Sequence, residues 1–256
     1  LLLVDRENRV WTPSERKELR ASMKAELERL WRTGEIYLEK PDLASERRNV
    51  IHYLRNVFPD VLPELDRRLK VAWEEMDFDP ALLHRPDGRP SLRFGNWVGG
   101  DRDGHPLVTS DVTRETLGEL RTNALQLLVE KLTELTRRLS LSEFLQAPPE
   151  PLPEKVAAIA EDLGDKGRRA VERNPDEPWR QIVNLMIARL PIENGARVEH
   201  PGAYETPDAL VDDLTFLREQ LLAVDADRIA RRDLDPVLRT VQTFGFHLAA
   251  LDIRQN

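Results

Sequence analysis

Apolar residues recur at three- and four-residue spacing along most of this chain, which is the pattern of amphipathic helices. At the start of the first such segment, Thr12, Pro13 and Glu15 form a helix-capping signature. The spacing predicts helices over residues 12–34, 45–58, 63–76, 110–139, 154–173, 178–190, 206–221 and 234–246. The fifth of these is a helix or a helix pair, because glycines interrupt it at Gly164 and Gly167. A mostly helical fold follows from this pattern.

Two segments interrupt the helical pattern, and each predicts a short strand. Residues 91–98 combine apolar positions with a tryptophan, residue types that strands favour. Residues 248–254 form a short apolar run that ends in Asp252 and Arg254. Such a run is typical of a buried strand that delivers polar side chains at its C-terminal end. The alternative is an ordinary strand end with a surface charge pair, and the pattern alone favours this alternative.

The first strand leads into Arg93 to Pro106, a segment rich in glycine and charge that reads RFGNWVGGDRDGHP. Glycine is favoured where the backbone takes positive φ or where another group approaches closely. After the glycine pair, Asp101 and Asp103 flank Arg102. A loop of this kind either presents a functional site or forms a tight turn held by local salt bridges, and the spacing leaves both open.

The amino-acid composition argues against several classes of protein. The chain has 256 residues and a net charge of -8, and it contains no cysteine. The acidic balance argues against nucleic acid as a partner, and no apolar run reaches the length of about 20 residues that a membrane span needs. Without cysteine there are no disulfides or thiolate metal sites, which suits a cytoplasmic protein.

The domain organisation is predicted from the proline-rich connection at residues 147–153, which holds four prolines. We do not place a domain boundary there, because the residues after this connection show no evident core of their own. We expect residues 1–256 to form a single partial domain, and the chain to be a piece of a longer polypeptide.

Two motifs resemble phosphoenolpyruvate carboxylase. The segment from Phe94 to Pro106 is similar to the family signature Phe-Gly-Ser-Trp-Met-Gly-Gly-Asp-Arg-Asp-Gly-Asn-Pro, with Asn96, Val98 and His105 as substitutions. The C-terminal LDIRQN resembles the family sequence Leu-Asp-Ile-Arg-Gln-Glu, with Asn256 in place of Glu. Both occur in family order, so the chain is identified as part of the N-terminal half of such an enzyme.

The resemblance implies a fold and an activity. The expected fold is a helical fragment of a (β/α)8-barrel enzyme that includes a few short barrel strands. The implied parent is a lyase that fixes carbon dioxide: it joins bicarbonate to phosphoenolpyruvate, releases phosphate and forms oxaloacetate, which replenishes the tricarboxylic acid cycle. It is expected to be a cytoplasmic, allosteric homotetramer that uses Mg²⁺ or Mn²⁺, whose ligands and catalytic histidines lie outside this chain.

The resemblance also implies site residues. Arg254 corresponds to an active-site arginine that holds anionic substrate, and it is the catalytic candidate. Asp101, Arg102 and Asp103 are expected at the same barrel mouth as an active-site loop, and Arg93 is a further candidate for substrate binding. Arginine suits these roles because its fork of donors matches carboxylate and phosphate and stays charged.

An alternative function belongs to a different class of protein. The chain could be a non-catalytic helical domain derived from the family, binding anionic metabolites or a protein partner. The substitutions at motif positions favour this alternative, whereas the survival of barrel-strand motifs favours the enzyme. In either case, the isolated 256-residue chain is predicted to lack carboxylase activity.

Overall fold

The computed structural model describes residues 12–32, 42–84, 88–103 and 107–254. The chain divides into two compact units, Leu1–Asp42 and Leu43–Asn256. The prediction of a single partial domain over residues 1–256 stays a prediction.

The first unit contributes helix α1, Pro13–Arg32. Its start carries the predicted capping box: the Glu15 N–H donates to Thr12 Oγ1 at 3.3 Å, and the Thr12 N–H donates to Glu15 Oε2 at 2.7 Å. Hydrogen bonds from the hydroxyl and the backbone of Thr12 lower the pKa of the Glu15 carboxyl. The start of this helix is therefore fixed by local sequence, as expected.

The second unit is mostly helical. Its helices are α2 (Leu43–His52), α3 (Phe58–Glu75), α4 (Ala81–His84), α5 (Ser110–Arg138), α6 (Pro151–Asp162), α7 (Asp165–Glu172), α8 (Pro178–Arg189), α9 (Pro207–Ala223), α10 (Asp227–Ile229) and α11 (Asp235–Phe244). Its short strands are β1 (Gly95–Asn96), β2 (Ile192–Glu193), β3 (Ala196–Arg197) and β4 (Ala250–Leu251). The predicted mostly helical fold is confirmed, whereas the (β/α)8 barrel of the parent stays a prediction.

Within the second unit, helix α5 packs against both α8 and α11. The Thr109 hydroxyl caps it by accepting from the Val112 N–H. Its leucines Leu128 and Leu132 are fully buried and join the main core with Trp179 of α8. Each fully buried side chain of this kind contributes about 1.5–3 kcal/mol relative to exposure. The repeating leucines of the sequence are therefore core residues.

A smaller core cluster holds the strand pair β1–β4 in place. It is built from Leu54, Leu120 and Leu248 among others, with partly buried rings packed against it. The ring of Phe94 stacks between two others: its centroid lies 4.8 Å from that of Phe58 and 5.3 Å from that of Phe244. These contacts fix β1 against α3 and α11.

Prolines do not delimit α2 and α3 as the sequence suggested. The predicted helices at residues 45–58 and 63–76 are instead α2, a π-helical turn at Tyr53–Val57 and α3, so Pro63 lies inside a helix. The π-helical turn closes with the Phe58 N–H donating to the Tyr53 carbonyl, one residue before Pro59. Because Pro59 has no N–H to continue the ladder, the wider turn lets the chain go on without a break.

Two connecting segments also differ from expectation. The proline-rich connection at 147–153 is shorter, because α6 already begins at Pro151, where a proline is tolerated in the first helical turn. The polar loop expected at residues 191–205 contains the antiparallel hairpin β2–β3, whose turn has Asn194 and Gly195 at positive φ. None of the described helices is long and apolar enough to cross a lipid bilayer.

Candidate functional site

The two sequence motifs meet side by side in the structure. Strands β1 and β4 pair in parallel, with Gly95 opposite Ala250 and Asn96 opposite Leu251. Beyond the strands the pairing continues at a single bridge between Asp101 and Arg254. The Arg254 N–H donates to the Gly100 carbonyl at 3.2 Å, and the Arg102 N–H donates to the Arg254 carbonyl at 3.1 Å. The charged residues of both motifs therefore lie at the carboxyl ends of adjacent parallel strands.

Neither Gly99 nor Gly100 has room for a side chain. Gly99 has φ +88°, and a Cβ there would lie 2.2 Å from Thr116 Oγ1 on α5. A Cβ on Gly100 would lie 2.3 Å from the backbone oxygen of Asp252. Glycine is thus used both for its conformation and for close approach, so that the loop can pass between helix α5 and the C-terminal strand.

Polar side chains lock the turn between β1 and the charged loop. Buried Asn96 accepts from the Val98 N–H at 3.0 Å and donates to the Val98 carbonyl at 3.2 Å. The Thr113 hydroxyl donates to the Gly99 carbonyl at 2.9 Å. The carbonyl of Trp97 accepts from both Gly100 and Asp101. These hydrogen bonds hold the turn, and the loop that follows it, in one conformation.

The side chains at the strand ends are accessible and loosely paired. The Arg254 side chain is 67% exposed, and its Nη1 lies 4.0 Å from Asp101 Oδ2. The Asp103 N–H donates to Asp101 Oδ1 at 3.0 Å, which fixes that carboxylate. Arg102 is half-buried, and its Nε has no hydrogen-bond partner within the described ranges. An exposed, loose ion pair is weak, so the Arg254 guanidinium can exchange Asp101 for an anionic ligand.

The charge balance of this loop limits what it can do unaided. The segments at the strand ends carry two guanidiniums, those of Arg102 and Arg254, and three carboxylates, those of Asp101, Asp103 and Asp252. The formal sum is negative, so a multiply charged anion needs further cations from elsewhere to bind tightly. The arrangement supplies orientation and two planar donor groups rather than a complete anion site.

Arg93 does not join this group. It precedes β1, at the amino end of the strand pair, whereas Asp101 and Arg254 follow the strands. There it lines a separate cavity of about 540 Å³, together with Arg121 and His247. Burial, and then the nearby charge of Arg121, lower the pKa of His247. A role for Arg93 in substrate binding stays a prediction that this placement does not support.

One supporting residue was missed by the sequence analysis. The Arg47 side chain is 8% exposed and donates to Glu115 at 3.0 Å and to Glu119 at 2.8 Å. It also reaches Thr116 Oγ1 at 3.3 Å, the atom that lies against Gly99. The available signal was its spacing, since Arg47 falls on the apolar stripe of its helix, four residues before Ile51.

The part of the chain that the structure describes contains no cluster of potential metal ligands. Among the described residues, no three His, Asp or Glu side chains lie together as potential metal ligands. Residues 104–106, which include His105, and residues 255–256 lie outside the described ranges.

Two short parallel strands carry charged residues at their carboxyl ends and have helices packed against them, and α/β proteins commonly place their sites at such strand ends. The family model for phosphoenolpyruvate carboxylase matches residues 1–256. The chain belongs to the phosphoenolpyruvate carboxylase family, and the resemblance inferred from its two motifs is confirmed.

Curated relatives agree with this assignment. The phosphoenolpyruvate carboxylase of Methylorubrum extorquens is 32% identical over 250 residues, which cover 96% of this chain and 26% of the relative. That of Roseiflexus castenholzii is 33% identical over 94% of this chain and 26% of the relative. That of Xanthomonas oryzae pv. oryzae is 34% identical over 99% of this chain and 27% of the relative. The chain therefore spans about a quarter of the length of the relatives it matches.

Proposed function

We propose that this chain is a part of a phosphoenolpyruvate carboxylase and contributes one wall of its active site. The observation that carries the proposal is the parallel pairing of the two motifs, which brings Arg254 beside the Asp101 loop. The reaction of the whole protein joins bicarbonate to phosphoenolpyruvate and yields oxaloacetate and phosphate. Phosphoenolpyruvate, bicarbonate, oxaloacetate and phosphate are all anionic, so fixed guanidinium donors suit this reaction.

Arg254 holds the carboxylate or phosphate of the substrate in this proposal. Its side chain is exposed at the carboxyl end of β4, and its ion pair with Asp101 is long enough to be displaced. Asp101 orients the guanidinium, while Asp103 shapes the turn through its backbone bond to Asp101. Arg102 contributes a second donor from the same loop. The remaining cations, the catalytic histidines and the Mg²⁺ or Mn²⁺ ligands would come from the rest of the protein.

The whole protein is further proposed to act as a cytoplasmic, allosteric homotetramer. The strand ends give less support to the alternative, a non-catalytic domain that binds anionic metabolites by itself, because the loop there carries more carboxylates than guanidiniums. A stand-alone anion-binding module would be expected to concentrate positive charge at its site.

Steady-state kinetics on a longer polypeptide, with the segments that the relatives have beyond this region, test the role of Arg254. We expect Arg254→Ala to lower kcat/KM for phosphoenolpyruvate by about 10²–10³-fold, the loss found when one donor to developing charge is removed. Arg254→Lys keeps the charge but loses the planar fork of donors, so its kcat/KM should lie between those of the wild type and of Arg254→Ala. Arg114→Ala, an exposed arginine paired with Asp111 on α5, is the matched control. Equal activities in all four proteins would contradict the assignment.

A further inference from the structure

A separate cavity lies away from the strand ends, between helix α3 and the turn that leads into α11. Its volume is about 360 Å³, within the range of about 300–1,000 Å³ that is typical of small-ligand sites. One wall comes from α3, and the other from the turn between α10 and α11 and from the start of α11. Loop residue Arg89 and Leu83 of α4 also line it.

Positive charge is concentrated on this cavity although the chain as a whole is acidic. The cationic side chains that line it are Arg67, Lys70, Arg89, Arg231, Arg232 and Arg239, and the lining carboxylates are Asp66 and Asp235. Six cations against two carboxylates contrast with a net charge of -8 for the whole chain. Both walls contribute cations, so a ligand between them would meet donors from opposite sides.

The inner layer of the cavity is buried and incompletely hydrogen-bonded. Arg89 Nη1 lies 3.0 Å and Arg239 Nε 3.4 Å from Asp66 Oδ2. Asp235 Oδ1 accepts from Arg218 at 2.8 Å, whereas Asp235 Oδ2 is 4.0 Å from Arg89 Nη2. In the described ranges, neither Arg239 Nε nor Asp235 Oδ2 has a hydrogen-bond partner, although both residues are at most 5% exposed. The Arg239 Nε–H is a donor that an anion in the cavity would satisfy, whereas Asp235 Oδ2 is an acceptor that an anion does not satisfy.

Two of the outer cations, Arg67 and Arg231, are each paired with an acid that does not line the cavity. Arg67 contacts Glu64 at 2.8 Å, and Arg231 contacts Asp227 at 2.9 Å, both within one helical turn. The Arg67 and Arg231 side chains are 62% and 46% exposed. Exposed pairs of this kind are weak, so these guanidiniums remain available to a ligand that enters.

We propose that this cavity binds a small phosphate-bearing anion. Guanidiniums bind phosphate through charge-assisted hydrogen bonds. A tetrahedral phosphate accepts hydrogen bonds in several directions at once, and therefore suits cations that come from two walls. A planar carboxylate is satisfied by a single fork. The site does not depend on the proposed carboxylase function, since it uses none of the strand-end residues.

Calorimetric titration of the chain with inorganic phosphate tests this proposal, with ionic strength held constant by sodium chloride because surface electrostatics respond to salt. The test variant is Arg67→Gln combined with Arg231→Gln, which removes one exposed cation from each wall and leaves the buried pairs intact. The control is Arg68→Gln combined with Arg228→Gln. It removes the same charge from neighbouring exposed positions that do not line the cavity.

We expect saturable phosphate binding by the wild-type chain, an affinity lowered about tenfold or more in the test variant, and a change of less than about twofold in the control. Equal losses in the two double variants would show a general charge effect and overturn the proposal. Absence of saturable binding by the wild-type chain would also overturn it. Succinate binding as tightly as phosphate would refute the preference for a phosphate group.

Discussion

Replacing Gly100 by alanine tests whether the two motifs are held together as described. The added Cβ would lie 2.3 Å from the Asp252 carbonyl oxygen and 3.0 Å from Leu251 Cγ, so the loop and the C-terminal strand must move apart. Overpacking of this kind costs about 1–3 kcal/mol. The movement also weakens the two backbone hydrogen bonds that join Gly100 and Arg102 to Arg254, each worth about 0.5–1.5 kcal/mol. We therefore expect a destabilisation of about 2–6 kcal/mol.

Urea unfolding followed by tryptophan fluorescence measures this change. Hydrogen exchange at the amides of Arg102 and Arg254 reports on the contact itself, because both N–H groups donate across it. Gly118→Ala is the matched control: nothing lies within 4 Å of its added Cβ on helix α5, so it should stabilise the chain by about 0.5–1 kcal/mol. A Gly100→Ala chain within about 0.5 kcal/mol of wild type, with unchanged exchange at both amides, would refute the reasoning.

Three further predictions concern two buried charged residues, Asp213 and Arg47, and the titration of His247. Asp213 receives hydrogen bonds or ion pairs from three side chains, so Asp213→Ala should lower the free energy of unfolding by about 3–5 kcal/mol. The control is Asp212→Ala at the exposed neighbouring position, which should change the free energy of unfolding by less than about 0.5 kcal/mol. Arg47→Met should cost about 1–3 kcal/mol in the same urea assay, because it leaves Thr116 and two glutamates without their buried donor; no loss would contradict its supporting role. The lowered pKa of His247 means that the unfolded chain binds its proton more readily, so stability should fall as pH drops below 6.5 towards the folded pKa, and His247→Gln should remove that part of the pH profile.

The helices were predictable where periodicity and local capping agree. The capping box at Thr12 and Glu15 and the leucine repeat of α5 arise from short-range sequence rules, and both are present. The limits of α2 and α3 were not predictable, because a proline can either end a helix or begin its first turn. The π-helical turn before Pro59 resolves that choice in a way that no spacing rule contains. A second π-helical turn, Ala230–Leu234, likewise closes through the N–H of the residue just before a proline, Pro236.

The candidate site was predictable only in part. Two short strands could be inferred from residue types, and the family resemblance placed both motifs at one barrel mouth. The pairing of the two strands, which lie more than 150 residues apart, was not predicted. The roles of Gly99 and Gly100 depend on which neighbours approach them, which the sequence does not state. Buried Arg47 was overlooked because a charged residue on an apolar stripe is most simply taken for the edge of the stripe. The placement of Arg93 at the opposite strand end needed the register of the pair.

Bicarbonate-dependent formation of oxaloacetate from phosphoenolpyruvate is the most direct test of the proposed function. It should be measured side by side for the purified 256-residue chain and for the longer polypeptide, with Mg²⁺ present. We expect turnover by the longer polypeptide and none by the chain alone, because the loop at Arg254 holds fewer guanidiniums than carboxylates. A folded longer polypeptide without turnover, or clear turnover by the 256-residue chain, would contradict the proposal.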